Sequence, residues 1–326
     1  QAFNLPLRHD VSVKAHIEKM AQAVGRETLD RNNRQTRVPQ GATVWLNQAG
    51  TAPGLCLEIY GCVIVLMPGV PGEFNWLTEN FMLPFLKKRF AGEAVYEEKL
   101  RCFGLPEARL AEKLETIAAK NPDLKIQYRP SFPETTIRLT LQNSDLNRFN
   151  NIVSEMKSAL GDACYGTGAD ALEERIIKKL VDRGEKIVVA ESCTGGLLAQ
   201  KLTAVPGASA VFWGGWVTYD NQAKIELLNV STQTLQEHGA VSEGVAKQMV
   251  RGALQGKIKT WALSLTGVAG PGGGTPEKPV GTVCFGLGHD DLIEAKTRHL
   301  GSWSREQIRI LSVHVALHWL RRKIGA

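Results

Sequence analysis

Cysteine is scarce in this 326-residue chain. The six thiols, Cys56, Cys62, Cys102, Cys164, Cys193 and Cys284, include no C-x-x-C pair and show no close regular spacing. That pattern excludes a disulfide framework and leaves reduced thiols in a cytoplasmic protein as the expectation. Long apolar runs are also missing: no stretch approaches the ~18 residues needed to cross a bilayer, and the amino terminus has no charged segment followed by an apolar signal core. Membrane partners and secretion are therefore not expected. Lys and Arg outnumber Asp and Glu by 39 to 33, a net charge of +6, yet they form no dense basic block. The excess reads as attraction for phosphorylated metabolites, and nucleic acid is not expected as a partner. The chain opens on Gln1 and runs at once into an amphipathic helix pattern, Val11 to Val24, the pattern expected of a fragment or a processed form.

Several catalytic signatures are absent too. The glycine run Thr266 to Gly274 lacks the terminal G-K-[ST] of a phosphate-binding P-loop, and nothing matches G-x-S-x-G. His314 and His318 stand at i, i+4 without the glutamate of H-E-x-x-H or a third ligand, so they read as ordinary helix residues and no metal is assigned to them.

What is present describes an ordinary globular chain with 43% hydrophobic and 22% charged residues, long enough for two domains or three if one is small. Residues 1–92 read as a helix followed by short, Gly/Pro-punctuated strands and a helix from Phe74, kinked at Pro84 and ending on Lys87-Lys88-Arg89. Residues 93–167 read as a small α+β unit, with a boundary at Ala91 to Ala94. Its strand Ile137 to Leu141 alternates apolar and polar residues, which predicts one solvated sheet face and one covered by helices. Residues 168–326 alternate helix and strand, predicting a layered α/β fold: a mostly parallel sheet with helices on both faces and some antiparallel strands near the end. Sites in such sheets lie beyond the carboxyl ends of the strands.

Three segments can carry chemistry. Ala190-Glu191-Ser192-Cys193-Thr194-Gly195-Gly196 follows the apolar strand Ile187 to Val189 and opens a helix, so backbone N–H groups converge there on an anion or oxyanion, unless Ser192 or Thr194 simply caps the helix. The glycines of Thr266 to Gly274, after the strand Thr260 to Leu265, let backbone approach a ligand at the same sheet edge. Pro206-Gly207-Ala208-Ser209 leads into a strand, Ala210 to Thr218, and then Tyr219-Asp220. With Asp220 as N-cap, Lys224 falls in the first helical turn, where a cation is disfavoured; partly desolvated, it would have the lowered pKa wanted of a base, whereas an exposed helix lysine is the bland alternative. Cys193 is also placed at a helix start, but no histidine lies near it in sequence to act as its base.

AESCTGG, Val217 to Lys224, GAVSE (Gly239 to Glu243), LTGVAGPGGG and EKPVGTV (Glu277 to Val283), in this order, resemble the carboxy-terminal domain of the CinA family. Asn33-Arg34-Gln35, Val38-Pro39, Asn47, Gly50 to Gly54 and Pro68 to Glu73 resemble the later part of that family's amino-terminal, molybdopterin-binding-like domain, whose earlier T-G-G-x-G-P-T-x-D-D stretch is absent. The middle unit resembles the family's KH-type connector but has no clear G-x-x-G loop.

The resemblance implies a nicotinamide-nucleotide amidase in residues 168–326, which hydrolyses nicotinamide mononucleotide to nicotinic acid mononucleotide and ammonia without a cofactor, in a cytoplasmic homodimer. It implies Ser209 as nucleophile, Lys224 as base and Tyr219 as a supporting hydroxyl. Members commonly have Gly-Ser-Ser where this chain has Gly207-Ala208-Ser209, and the second serine is kept. Thr266 would serve the carboxamide or oxyanion, together with Gly267 and Gly270 of its loop and with Thr194 and Gly195. Arg305 or Arg309 would reach the 5′-phosphate. Ser192 is the rival nucleophile. The alternative functions are a divalent-metal-dependent ADP-ribose pyrophosphatase in the amino-terminal part, or a non-catalytic nucleotide-binding scaffold linked to competence.

Overall fold

A computed structural model describes residues 5–23, 34–89, 95–142 and 145–326. The chain divides into two compact units, residues 1–93 and residues 94–326. Val24, Asn33 and the expected boundary at Ala91 to Ala94 lie outside the described residues.

In the first unit, β1 (Leu7–His9) leads into α1 (Val11–Ala23), which begins where Asp10 accepts hydrogen bonds from the Ser12 and Val13 amides. β2 (Arg37–Pro39) pairs antiparallel with β1, and β3 (Thr43–Trp45), β4 (Gly54–Ile59) and β5 (Cys62–Leu66) form an antiparallel meander. Buried Asn47 ties this unit together, donating to the Ala52 carbonyl at 3.0 Å and to Glu73 at 2.7 Å. A Cβ on Gly50 would sit 2.3 Å from that carboxyl, so glycine is required for Glu73 to reach inward. Just ahead of Pro84 the helix is irregular: α2 (Pro71–Leu77) passes through a π-helical turn at Thr78–Met82 into α3 (Leu83–Arg89). Pro84 thus falls in the first turn of α3, where its missing N–H costs least.

The second unit opens with β6 (Val95–Phe103), α4 (Glu107–Lys120), β7 (Lys125–Ser131), β8 (Glu134–Gln142), α5 (Leu146–Leu160) and β9 (Cys164–Thr167). Their antiparallel sheet runs β7-β8-β6-β9. Alternation in β8 buries Ile137, Leu139 and Leu141 against Leu110, Leu114, Phe149 and Met156 of the two helices, as the alternating pattern predicts.

The remainder comprises α6 (Leu172–Arg183), β10 (Lys186–Glu191), α7 (Leu197–Thr203), β11 (Phe212–Val217), α8 (Asn221–Leu228), α9 (Thr232–His238), α10 (Glu243–Leu254), β12 (Thr260–Gly267), β13 (Thr282–His289), β14 (Leu292–His299) and α11 (Arg305–Ile324). The sheet order is β11-β10-β12-β13-β14, with the first three strands parallel and the last two antiparallel. One core packs α6, α7 and α11 against Ile187, Val189, Leu263 and Phe285; another packs α8 and α10 against Val188, Ala190 and Ala262. The layered α/β expectation holds. Two boundaries differ. β11 starts at Phe212 instead of Ala210, because residues 208–210 form a 3-10 turn after Gly207 (φ 83°). The helix expected from Thr194 starts at Leu197, because Gly195 (φ 59°) and Gly196 (φ 90°) turn the chain first.

His314 and His318 lie on α11 at its junction with the β6–β9 sheet. His314 Nε2 stands 3.4 Å from Glu134, which also accepts from Arg101 at 2.7 Å. Among the described residues no group of His, Cys, Asp or Glu is arranged to hold a metal. Burial alone would raise the Glu134 pKa, but hydrogen bonds from His314, Arg101 and Tyr165 outweigh it and hold the group at about 2. With the folded value depressed from 4.5, the stabilisation, on the order of 3 kcal/mol, is complete above pH 4.5 and is lost as pH falls toward 2. Replacing Glu134 with Gln should therefore destabilise the chain by a few kcal/mol at pH 7. In urea titrations the gap between variant and wild type should narrow below pH 4.5.

Candidate active site

β10 is the strand from which the chain departs in opposite directions. The connection through α7 places β11 on one side of it, and the connection through α8, α9 and α10 places β12 on the other. Such a reversal opens a crevice at the carboxyl end of the central strand. Ser192 is the first residue past that end. Its amide donates to the Leu265 carbonyl of β12 at 2.9 Å, while the Thr218 amide donates to Glu191 at 2.8 Å, so three strand ends are stitched together around it.

The helix after this turn offers less to an anion than its sequence implies. Glu191, fully buried, accepts from the amides of Gly196 (3.1 Å), Leu198 (3.0 Å) and Ala199 (2.8 Å), so a carboxylate of the chain itself occupies the positive end of α7. The Gly195 amide turns back to the Ser192 carbonyl at 3.1 Å. Sequence reasoning missed the part played by Glu191. Its position, an acid closing an apolar strand just before a helix start, was the available signal.

Lys224 is 1% exposed. Asp220 caps α8 by accepting from the Gln222 amide at 2.7 Å, and Lys224, one turn in, folds back beneath the end of β11. Its Nζ lies 2.9 Å from the Thr218 carbonyl, 3.3 Å from the Tyr219 carbonyl and 3.2 Å from Ser192 Oγ. Burial lowers its pKa from the ordinary lysine value, and the Asp220 charge offsets this only in part. A neutral amine has two N–H donors and one lone pair; two carbonyls take the donors, which leaves the lone pair for the Ser192 hydroxyl. Cys193 faces the core, and burial pushes its thiol up to about 12, so it is no thiolate nucleophile at neutral pH.

The pairing of Ser209 with Lys224 does not form. Ser209 is exposed in the 3-10 turn that precedes β11, whereas Lys224 follows that strand, so the full length of β11 separates them. The resemblance implied the second serine of the Gly207-Ala208-Ser209 segment, but the intervening strand carries Ser209 and Lys224 to opposite edges of the sheet.

Other expected residues do converge. Arg305 donates to the Tyr219 hydroxyl at 2.7 Å and to the Gly270 carbonyl at 2.8 Å. Arg309 donates twice to the Thr194 carbonyl, at 2.7 and 3.2 Å. The amino end of α11 thereby fastens the Ser192 turn, the Tyr219 segment and the loop after β12 to one another. Thr266 is buried and spends its hydroxyl on the Ala240 carbonyl at 2.8 Å, so it braces the Gly239–Glu243 segment and is not a free donor. Gly267 and Gly270 are glycines for packing: a Cβ on Gly267 would lie 2.7 Å from the Thr282 carbonyl, and one on Gly270 2.6 Å from Val280.

Residues 169–324 match the model of the CinA C-terminal domain, and residues 97–166 match that of the damage-inducible protein CinA KH domain. A CinA-like protein of Cyanothece sp. is 39% identical over 329 residues, covering 99% of this chain and 78% of the relative. The chain belongs to the CinA family. Another CinA-like protein, from Trichodesmium erythraeum, is 35% identical and is covered over 77% of its length. Among solved structures, the competence/damage inducible protein CihA from Agrobacterium tumefaciens is 42% identical, with a TM-score of 0.46, 48% of this CinA chain and 94% of that chain being covered. No helix among the described residues is long and apolar enough to cross a membrane.

Burial of Lys224 makes the stability of this CinA domain depend on pH with a definite sign. The unfolded lysine binds its proton up to its ordinary value of 10.5 and the folded one releases it earlier, so stability rises with pH between the two values. Against a Lys224→Met variant, in which this linkage is removed, the wild type should gain ground in thermal unfolding as pH is raised toward 10.5.

Proposed function

We propose that the carboxy-terminal domain is a nicotinamide-nucleotide amidase whose nucleophile is Ser192 and whose base is Lys224. The observation that carries this reading is the environment of Lys224 Nζ: two main-chain carbonyls and one serine hydroxyl within 3.3 Å, in a buried position that favours the neutral amine.

In the proposed sequence, neutral Lys224 accepts the Ser192 Oγ proton and the oxygen attacks the carboxamide carbon of nicotinamide mononucleotide. The Cys193 and Thr194 amides, which donate to no carbonyl among the described residues, are available to the developing oxyanion. The tetrahedral species collapses as the Lys224 ammonium returns a proton to the departing nitrogen, and ammonia leaves. Water then attacks the nicotinoyl ester, Lys224 takes the water proton and passes it to Ser192 Oγ, and nicotinic acid mononucleotide is released. The net change is amide plus water to acid plus ammonia. Every step is nucleophilic or acid–base chemistry that these two side chains supply, so no cofactor is required. Tyr219, exposed at the rim, offers an aromatic face to the cationic pyridinium ring, and Arg305 beside it is a cation for the 5′-phosphate.

Ammonia release from nicotinamide mononucleotide should persist in EDTA, with free nicotinamide a much poorer substrate and ADP-ribose run in parallel for the amino-terminal unit. Ser192→Ala should lower kcat by at least about a thousandfold, and Ser209→Ala by no more than about tenfold. The opposite ranking would reject Ser192. Turnover should also fall on the acid side as Lys224 becomes protonated, with an inflection below the ordinary lysine value, because the protonated amine has no lone pair for the serine.

A further inference from the structure

Two of the six cysteines stand directly opposite each other. Where β6 pairs with β9, Leu100 meets Thr167 and Arg101 meets Gly166, so a regular register would set Cys102 against Tyr165. The register shifts there instead: β9 carries one extra residue, and Cys102 is the partner of Cys164. Tyr165 is turned to the other face of the sheet, into the core of the carboxy-terminal domain, where its hydroxyl accepts from Arg101 at 3.0 Å. Both cysteines are left on the face packed by α4 and α5. Directly opposed residues of antiparallel strands have Cα atoms about 4.5–5.5 Å apart, inside the roughly 4.4–6.8 Å spanned by disulfide-bonded cysteines. No other two of the six are strand partners.

The two thiols differ in exposure and in charge. Cys102 is fully buried, whereas Cys164, at the start of β9, is partly open to solvent. Arg321 of α11 is buried beside the second of them. It donates to the Asp162 carbonyl at 3.2 Å, while its Nε has no hydrogen-bond partner among the described residues, and the Asp162 carboxylate is taken by Arg322 at 3.0 Å. Hydrogen bonding from Cys102 lowers the Cys164 thiol below the ordinary value against the effect of burial, and the Gly166 backbone and the Lys157 and Arg321 charges lower it further. The same contact, with burial, raises Cys102. One sulfur is thus suited to attack and its neighbour, still protonated, to resolve the product. A cavity of about 310 Å³ adjoins the pair, lined by Phe103 and Gly104 just after Cys102, by Asp162 and Ala163 just before Cys164, and by His318. It has room for a small oxidant.

We propose that Cys164 and Cys102 are a peroxide-reactive dithiol that closes to a disulfide, joining β6 to the strand that leads into α6 of the carboxy-terminal domain. The Cys164 thiolate attacks one oxygen of hydrogen peroxide and the O–O bond breaks. The departing hydroxide takes up the proton that Cys164 released, which leaves water and a sulfenic acid on Cys164. The Cys102 sulfur then attacks Cys164 Sγ, the S–O bond breaks, and the hydroxyl leaves with the Cys102 proton as a second water. The two thiols have lost two electrons between them, and one peroxide has become two waters. A small dithiol reverses the change by thiol–disulfide exchange. None of this depends on the reaction proposed for Ser192 and Lys224.

The test exposes the folded 326-residue chain to one equivalent of hydrogen peroxide at neutral pH, quenches with an alkylating agent and maps the peptides without reduction. Free thiols should fall from six to four, with a Cys102–Cys164 linkage as the product, and dithiothreitol should restore all six. Oxidation at Cys164 should run about tenfold faster than at exposed Cys62, whose strand partner is Ile59. Cys102→Ser should halt the reaction at the sulfenic acid, trapped on Cys164 by dimedone, and Cys164→Ser should remove the fast phase. The wild type alone already decides the matter. Peroxide consumed first at Cys62, or a Cys164 sulfenic acid that accumulates beside a free Cys102 thiol, overturns the proposal.

Discussion

The carboxy-terminal domain depends on a lysine amine held out of water. Burying Lys224 is costly, and the structure meets that cost by giving Nζ the Thr218 and Tyr219 carbonyls at the end of β11 and the Ser192 hydroxyl at the end of β10. Those groups meet only because β10 and β11 are parallel neighbours whose carboxyl ends lie level, Glu191 opposite Val217. The strand register therefore sets the separation of serine and lysine, and the desolvation that weakens the lysine as a cation is what suits it to accept a proton.

Around that pair, polar groups of the chain saturate one another. Glu191 takes the amides at the start of α7, Arg309 the Thr194 carbonyl, Arg305 the Tyr219 hydroxyl and the Gly270 carbonyl, and Thr266 the Ala240 carbonyl. Turns with this many fixed partners hold the serine in one orientation, which is what a preorganised site requires. The same economy appears at the junction with the β6–β9 sheet, where Glu134 engages Arg101 and His314.

Much of this could be read along the chain. Alternation in Ile137 to Leu141 marks a half-covered antiparallel strand, and the unbroken apolar run Ile187 to Val189 marks a strand buried on both faces. Helix caps at Asp145, Asp220, Ser242 and Ser304 follow from residue type and position alone. The depressed pKa of Lys224 was legible from its place behind an N-cap, where a cation has no local reason to be. α9 was not foreseen: it is a seven-residue helix with no buried side chain, so it leaves little apolar periodicity to detect.

By itself, then, the sequence determined most of the element types, the layered α/β class and the family, because these rest on local periodicity, capping and motifs that need no partner from elsewhere in the chain. Only the tertiary structure decided which serine Lys224 meets. Ser209 is fifteen positions from Lys224 and Ser192 thirty-two, yet a strand holds the first apart from the lysine and sheet order brings the second to 3.2 Å. Distance across a parallel sheet is governed by strand order and direction, which a linear reading does not contain.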